Sequence, residues 1–400
     1  MDDILSQGGD RGPSRWPRRL ALIGAPVLVV ASIVYLSLGR HPHSPVSASP
    51  TPVAASTAPV SVSLAAPGLP NGPDGIGGPS LPWANSLRLP AAGTQPAWFS
   101  PATGRSEPIG GLSPDSAGYD FTRVDGGWAV QVNSAGQTLD GDLTVPPLPV
   151  WFLADGTRAV TRVGTANQVV PAATARAVWL SSYQSAAATD TAAWTAREVS
   201  LDGAALGPPV RLPPGYVIYQ ATDRGLLLAP VTPQPGTSVY KLWNPADPPA
   251  ARTFDQVIAA GPAEIAWTPP CAAACQVKLL DLATGRQTVV ELPAGSSASG
   301  GAFSPSGSLL ALQLSSGDDG ALAMRLEVAS VTSGRLTAVP GTSVSSDALV
   351  GFGWPASGDS LVAEFIFATK VQLASWHPGA TRLAVAVIRS GQDQPRLVVG

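Results

Sequence analysis

The chain has 400 residues and a net charge of −3, and it is 44% hydrophobic but only 13% charged, against about 25% for a typical soluble domain. No Lys/Arg run lies outside the N-terminal flank, which argues against nucleic acid as a partner. Two cysteines and three histidines do not readily supply a tetrahedral zinc site of nitrogen and sulfur ligands, and no metal is expected.

Residues 1–19 hold Arg11, Arg15, Arg18 and Arg19, and they lead into an uncharged run from Leu20 to Gly39, LALIGAPVLVVASIVYLSLG. As a helix rising about 1.5 Å per residue, this run matches the membrane's hydrocarbon core of about 30 Å. Only Arg40 follows closely. The Lys/Arg bias therefore predicts a cytoplasmic segment 1–19, a transmembrane helix 20–39, and everything later outside. A cleaved signal peptide also combines a basic start with an apolar run, and VSASP from Val46 has the small residues of a cleavage site. The run exceeds the usual length of about 7–15 residues for such a region, which favours an uncleaved anchor. Either reading puts the bulk of the chain outside the cytoplasm, held at the plasma membrane or secreted.

Residues 40–85 are mostly Ser, Thr, Pro, Ala and Gly, with Asp74 the single acid between His41 and Ser80. This composition buries too little apolar surface to offset chain entropy, so a disordered extracytoplasmic linker is expected.

From 86 to 400 the pattern changes to short alternating runs separated by Gly, Pro, Asp, Ser and Thr. SLLALQL puts Leu310, Leu312 and Leu314 on one face, and RLAVAVI does the same with Leu383, Val385 and Val387. Period two predicts strands. No run of a dozen residues has a helical period, so this is an all-β domain. The rival organisation is two smaller β domains split near the DPPA segment at Pro249.

Two elements recur. One is an aromatic, one residue, a proline, a turn and then a strand, at Trp267, Phe303 and Trp376, with looser copies at Trp151, Tyr219 and Trp354. The other is a hairpin on Thr-Gly or Ser-Gly, in LLDLATGRQTVVEL (279–292), LEVASVTSGRLTAV (326–339), WFSPATGRSEPI (98–109) and, more weakly, VNSAGQTL (132–139). Glycine at these tips supplies the positive φ of tight hairpins. Two alternating hairpin types describe four-stranded blades. FSPSGSLLALQL, from Phe303, resembles the repeat of TolB-like and WD40-like β-propellers, with Ser306 where that repeat usually has Asp. The strong match covers 263–400. Anchor, linker and domain together resemble actinobacterial membrane-anchored propeller proteins. The resemblance implies a β-propeller over 86–400. At about 45 residues per blade the domain holds seven blades, with six or eight open.

Trp151, Trp267, Trp354 and Trp376 are read as recurring at strand starts and serving inter-blade packing, and with Phe303 they are the repeat's structural signature. Trp83, Trp98, Trp128, Trp179, Trp194 and Trp243 are less regular, and they supply the candidates for a binding face. Cys271 and Cys275 stand four apart in CAAAC. In an extended strand their Cα atoms would be about 13 Å apart, beyond disulfide reach, so the alanines between must turn if the two are to bond. Outside the cytoplasm close cysteines oxidise. A structural disulfide is expected, with a redox-active or a metal-binding pair as the alternatives.

His377 is the domain's single histidine, read as a turn residue, and no G-x-S-x-G elbow accompanies it. SSGDDGA (315–321) and LDGDL (139–143) lack the spacing of a calcium loop such as an EF-hand and are read as hairpin turns, with weak Ca²⁺ binding through their clustered oxygens as the alternative. No phosphate or dinucleotide fingerprint is present, so no cofactor is expected. The expected function is a non-catalytic binding module whose partner is an envelope protein, peptide or glycan. The alternatives are an envelope hydrolase or lyase working at the channel mouth, and a structural or sensory subunit of an envelope complex.

Overall fold

Successive side chains of a strand point to opposite faces, and many strands of this chain are apolar on both. In Leu309–Ser316, Leu310, Leu312 and Leu314 turn one way and Ala311 the other, and all four are buried. A sheet with two apolar faces must be sandwiched between others. A propeller meets that demand by packing every sheet between two neighbours.

The computed structural model describes residues 61–63, 89–92, 96–100, 105–112, 119–132, 147–184, 193–231, 239–271, 275–317, 323–345, 349–355, 358, 360–367, 370–389 and 396–397. Its regular elements are all strands. Six blades of a β-propeller are meanders of four consecutive antiparallel strands, over 119–166, 168–211, 216–254, 256–291, 296–338 and 349–389; they are blades one to six below. A further sheet joins Arg396–Leu397 to Leu89–Ala92, Ala97–Ser100 and Arg105–Pro108. It ties the two ends of the domain together, with Ala91 opposite Leu397. The seven blades expected, with six and eight open, thus become six continuous blades and one sheet shared between the chain ends.

The split near Pro249 does not form. Pro249 belongs to Asp247–Phe254, the outer strand of blade three. Segment 1–19, the span 20–39 and most of 40–85 lie outside the described residues. Within 40–85, Ser61–Ser63 is a strand, antiparallel to Ala384–Arg389 at the edge of blade six. No helix among the described residues is long and apolar enough to cross a membrane.

The core is distributed over the seams between sheets. Trp98 of the closing sheet packs with Trp128 of blade one, Val163 with Leu180, Val170 with Ile218, Phe254 with Trp267, Val277 with Leu312, and Val328 with Phe365. Each fully buried Leu, Val or Phe contributes about 1.5–3 kcal/mol.

Near the axis the inner strands converge. In blades three to six the innermost strand carries a bulge, at Ile218/Gln220, Val257/Ala259, Ala298/Gly300 and Leu349/Gly351, and a bulge sharpens the twist there. Small residues follow it. A Cβ on Gly301 would lie 3.2 Å from the Ala259 Cβ of blade four and 3.1 Å from the Ala311 carbonyl oxygen, so blades four and five can approach this closely only with glycine there.

The hairpins joining the third and fourth strands repeat the same bonds. In blade four, Asp281 N–H donates to Arg286 O and Gly285 N–H to Asp281 O; in blade five, Ser330 N–H donates to Arg335 O and Gly334 N–H to Ser330 O. Gly285 and Gly334 sit at φ of 72° and 70°. They differ in surroundings: a Cβ on Gly285 meets open space, whereas one on Gly334 would collide with the Val289 carbonyl of blade four. Gly285→Ala should therefore cost about 1 kcal/mol, the left-handed backbone alone. Gly334→Ala should cost about 2–4 kcal/mol, because the blade seam must also open. Urea unfolding of the two variants measures the difference, and equal losses would refute the seam contact.

Candidate functional site

Because strands alternate in direction, the first-to-second and third-to-fourth turns of a blade lie at one edge. Here they are bonded together. Within blades, Leu282 N–H donates to Ala263 O at 2.8 Å and Val331 N–H to Ser308 O at 3.0 Å. Across seams, Asp223 N–H of blade three donates to Pro262 O of blade four at 2.8 Å. Arg224 Nε and Nη2 donate to the Leu282 and Ala283 carbonyls at 3.2 and 3.3 Å, and Arg286 Nη2 donates to Thr332 O of blade five at 2.8 Å.

This stitching gathers three carboxylates from two blades: Asp223, Glu264 and Asp281. Burial raises Glu264 above its ordinary range, and the charges of Asp281 and Asp223 push it the same way. Asp281 is held low by the Thr284 amide and hydroxyl and by the Ala283 amide, with help from Arg286. Glu264 is wedged under the next blade: its carboxylate lies where a side chain on Gly307 would be. That contact, together with φ of 68°, is why FSPSG ends in glycine.

At the same edge, the seam of blades two and three opens into a cavity of about 110 Å³ whose walls include Trp179, Glu198, Thr222 and Pro245. Deeper in blade three, Tyr219 stands edge-on to Tyr240 with ring centres 5.4 Å apart. Burial pushes the Tyr219 phenol up to about 12 and raises Tyr240 as well, so both remain neutral.

The signature aromatics do not share one repeat position, and none begins a strand. Trp151 lies within the third strand of blade one, edge-on to Tyr119; Trp267 lies in the second strand of blade four, edge-on to Phe254. Phe303 ends the first strand of blade five, Trp354 follows the first strand of blade six, and Trp376 ends its third. An aromatic packs well where a strand runs into its turn, so the motif's proline and glycine follow it. Only Phe303 and Trp354 are equivalent, and both lead to turns whose glycine is at φ near 70°, Gly307 and Gly358. All five aromatics pack in seam clusters. The indole N–H of Trp354 donates across the seam to Ala302 O at 3.0 Å, and that of Trp376 to Ala380 O at 2.9 Å.

Cys271 and Cys275 are joined, with Cα atoms 5.1 Å apart, in the loop between the second and third strands of blade four. His377 is exposed in a turn, with Nδ1 3.0 Å from the Pro378 carbonyl. LDGDL lies outside the described residues, and SSGDDGA is described only to Gly317. No group of three His, Cys, Asp or Glu residues able to hold a metal occurs among the described residues. Sequence reasoning missed Asp223, Glu264, Asp281 and Glu198, which look like ordinary turn and strand residues until the ring closes. Among the irregular tryptophans, Trp98, Trp128 and Trp243 are buried, while Trp179 and Trp194 are half-buried.

No known protein family and no curated protein matches the sequence. Among solved structures, TolB from Acinetobacter baumannii is similar at 10% identity with a TM-score of 0.41, covering 78% of this chain and 66% of that one. Oligogalacturonate lyase from Vibrio parahaemolyticus is similar at 10% identity and 0.48, over 77% and 88%. An acylaminoacyl peptidase is similar at 10% and 0.49, over 72% and 47%. The chain thus spans less than two thirds of TolB and about half of the peptidase. At such identities the likeness concerns architecture alone, and the propeller itself rests on the strand pairing described above.

Glu264 gives a pH signature. Its value in the folded chain lies above the ordinary 4.5, so the stability it contributes is complete below about pH 4.5 and is lost as pH rises through the raised value. Glu264→Gln should melt higher than the unaltered protein at pH 7, with the gap closing toward pH 4. A gap independent of pH in thermal melts would refute the assignment.

Proposed function

We propose that the chain is a non-catalytic binding propeller, held outside the cytoplasm by the span from Leu20 to Gly39, whose turn edge captures a protein or peptide of the cell envelope. The observation that carries this reading is the stitched turn edge, where bonds between blades three and four gather Asp223, Glu264 and Asp281, and Glu264 is raised first by its burial and further by the charges of Asp281 and Asp223. A positive group arriving at this edge would relieve the repulsion that Asp281 and Asp223 exert on Glu264. Rigid turns also spare the ordering cost that flexible loops incur on association. The disulfide of Cys271 and Cys275 is consistent with an oxidising compartment.

A glycan hydrolase is the second reading. One observation favours it: Glu264 is raised while the nearby Asp281 is lowered, the divergence that separates a general acid from its partner carboxylate.

Crosslinking with a membrane-impermeant reagent on intact cells, followed by capture of the full-length chain, tests the first reading. The expected result is a defined partner that is lost at high salt and in the Asp223→Asn/Glu264→Gln double variant. It should be retained in Asp255→Asn, which alters the opposite edge. Identical capture by the double variant, or a domain inaccessible to protease added outside spheroplasts, would sink it. Cleavage of a cell-wall glycan by the purified chain, abolished by Glu264→Gln, would establish the second reading instead.

A further inference from the structure

The cavity between blades two and three has a chemistry of its own. Trp179 and Glu198 are directly opposite each other in the register of Ala177–Gln184 and Ala193–Ser200, so their side chains stand side by side on one face of blade two. Trp179 packs against the cluster shared with blade three, which fixes that face as the one turned to the seam. Both residues are half-buried. Across the gap, the Thr222 hydroxyl is already committed, donating to Gly225 O at 2.8 Å and accepting from Arg224 N–H at 3.3 Å. Pro245 adds apolar wall. An indole and a carboxylate in a notch whose remaining walls are apolar apart from Thr174 and Thr222 are complementary to a cation.

The arginines near this notch are engaged elsewhere. Arg197 projects from the other face of blade two toward Gly164 of blade one. Arg224 is bonded to carbonyls of blade four, and Arg176 acts on Asp202. Among the described residues Glu198 forms no ion pair. Elsewhere the chain does set cations over aromatic rings, with Lys241 4.2 Å from the Tyr216 centre and Arg123 5.1 Å from that of Trp128.

The notch also has a structural reason to be open. In blade three only Pro245 and Ala246 separate the third and fourth strands, whereas residues 282–286 and 331–335 do so in blades four and five. The longer hairpin of blade five lies on the outer strand of blade four, at Gly334 and Val289. The two-residue turn of blade three is too short to cover blade two in the same way.

We infer that this notch receives one basic side chain, a lysine ammonium or an arginine guanidinium, from a polypeptide partner, with its charge between Glu198 and the face of Trp179. The inference rests on the binding reading above and specifies its ligand. A polypeptide is indicated because Leu206, whose N–H donates to Glu198 O at 3.0 Å, is 51% exposed and offers apolar surface beside the notch that a free amine would leave uncovered.

Calorimetric titration of the full-length protein in detergent tests this with three probes: the Nα-acetyl methylamides of lysine, arginine and norleucine. At least one basic probe should bind one to one, with norleucine about tenfold weaker or worse. Glu198→Gln should weaken the basic probe about fivefold without moving the unfolding midpoint, and Glu264→Gln should leave it unchanged. Equal binding of norleucine, no binding of either basic probe, or full binding by Glu198→Gln would overturn the inference. Failure here is separable from failure of the binding reading. Partner capture that survives Glu198→Gln but is lost in Asp223→Asn/Glu264→Gln rejects the notch alone. Basic-probe binding in a chain that captures no envelope partner supports the notch and rejects the envelope role.

Discussion

Every blade is apolar on both faces, and the rest of the architecture follows from that constraint. A strand such as Leu309–Ser316 sends three leucines toward blade four and Ala311 toward blade six. It can satisfy both faces only between two neighbours, and each neighbour repeats the demand. The ring is the arrangement in which no apolar face is left over. It also requires the last sheet to meet the first, which is why Arg396–Leu397 pairs with Leu89–Ala92.

Radial packing has a geometric consequence. Room between blades shrinks toward the axis and grows toward the rim, so side-chain size must follow. Near the axis Ala259, Gly300, Gly301 and Gly351 replace larger residues beside the bulges. Toward the turn edges the gaps are closed by large aromatics and by arginines that reach across to backbone carbonyls. Trp354 bonds to Ala302, Arg224 to Leu282, and Arg286 to Thr332. Carbonyls in turns are unpaired acceptors, and a guanidinium can bond to them from a distance while its stem covers the seam.

How much of this was legible depended on the range over which each signal acts. The strands were readable because period two is local, and the two hairpins over 279–292 and 326–339 were true equivalents because their tips repeat the same backbone bonds at Gly285 and Gly334. The aromatic motif was readable as packing but misleading as a ruler. Trp267, Phe303 and Trp376 precede turns between different pairs of strands, because any strand that ends at a seam gains from an aromatic there. The carboxylates of the turn edge were illegible. Asp223 and Glu264 are 41 residues apart in sequence, and they become neighbours through the seam of blades three and four, where Asp223 bonds to Pro262 and Arg224 to Leu282 and Ala283.

The same reasoning explains why the opening falls at blade two rather than elsewhere. Gly203 in the turn of blade two lies against the Val163 carbonyl of blade one, and Gly334 of blade five lies against Val289 of blade four; each turn overlaps the outer strand of the blade before it. Blade three turns tightly after Asn244, whose Oδ1 accepts from Ala246 N–H at 3.0 Å, and no overlap follows. At the same seam the outer strand of blade two is only Val210–Arg211, against eight residues in the strand it pairs. Both shortenings remove material from one place, and Trp179 and Glu198 beside it are only half-buried. A departure from the repeat, in a fold whose stability comes from repetition, costs packing at that seam and leaves room for a partner's side chain.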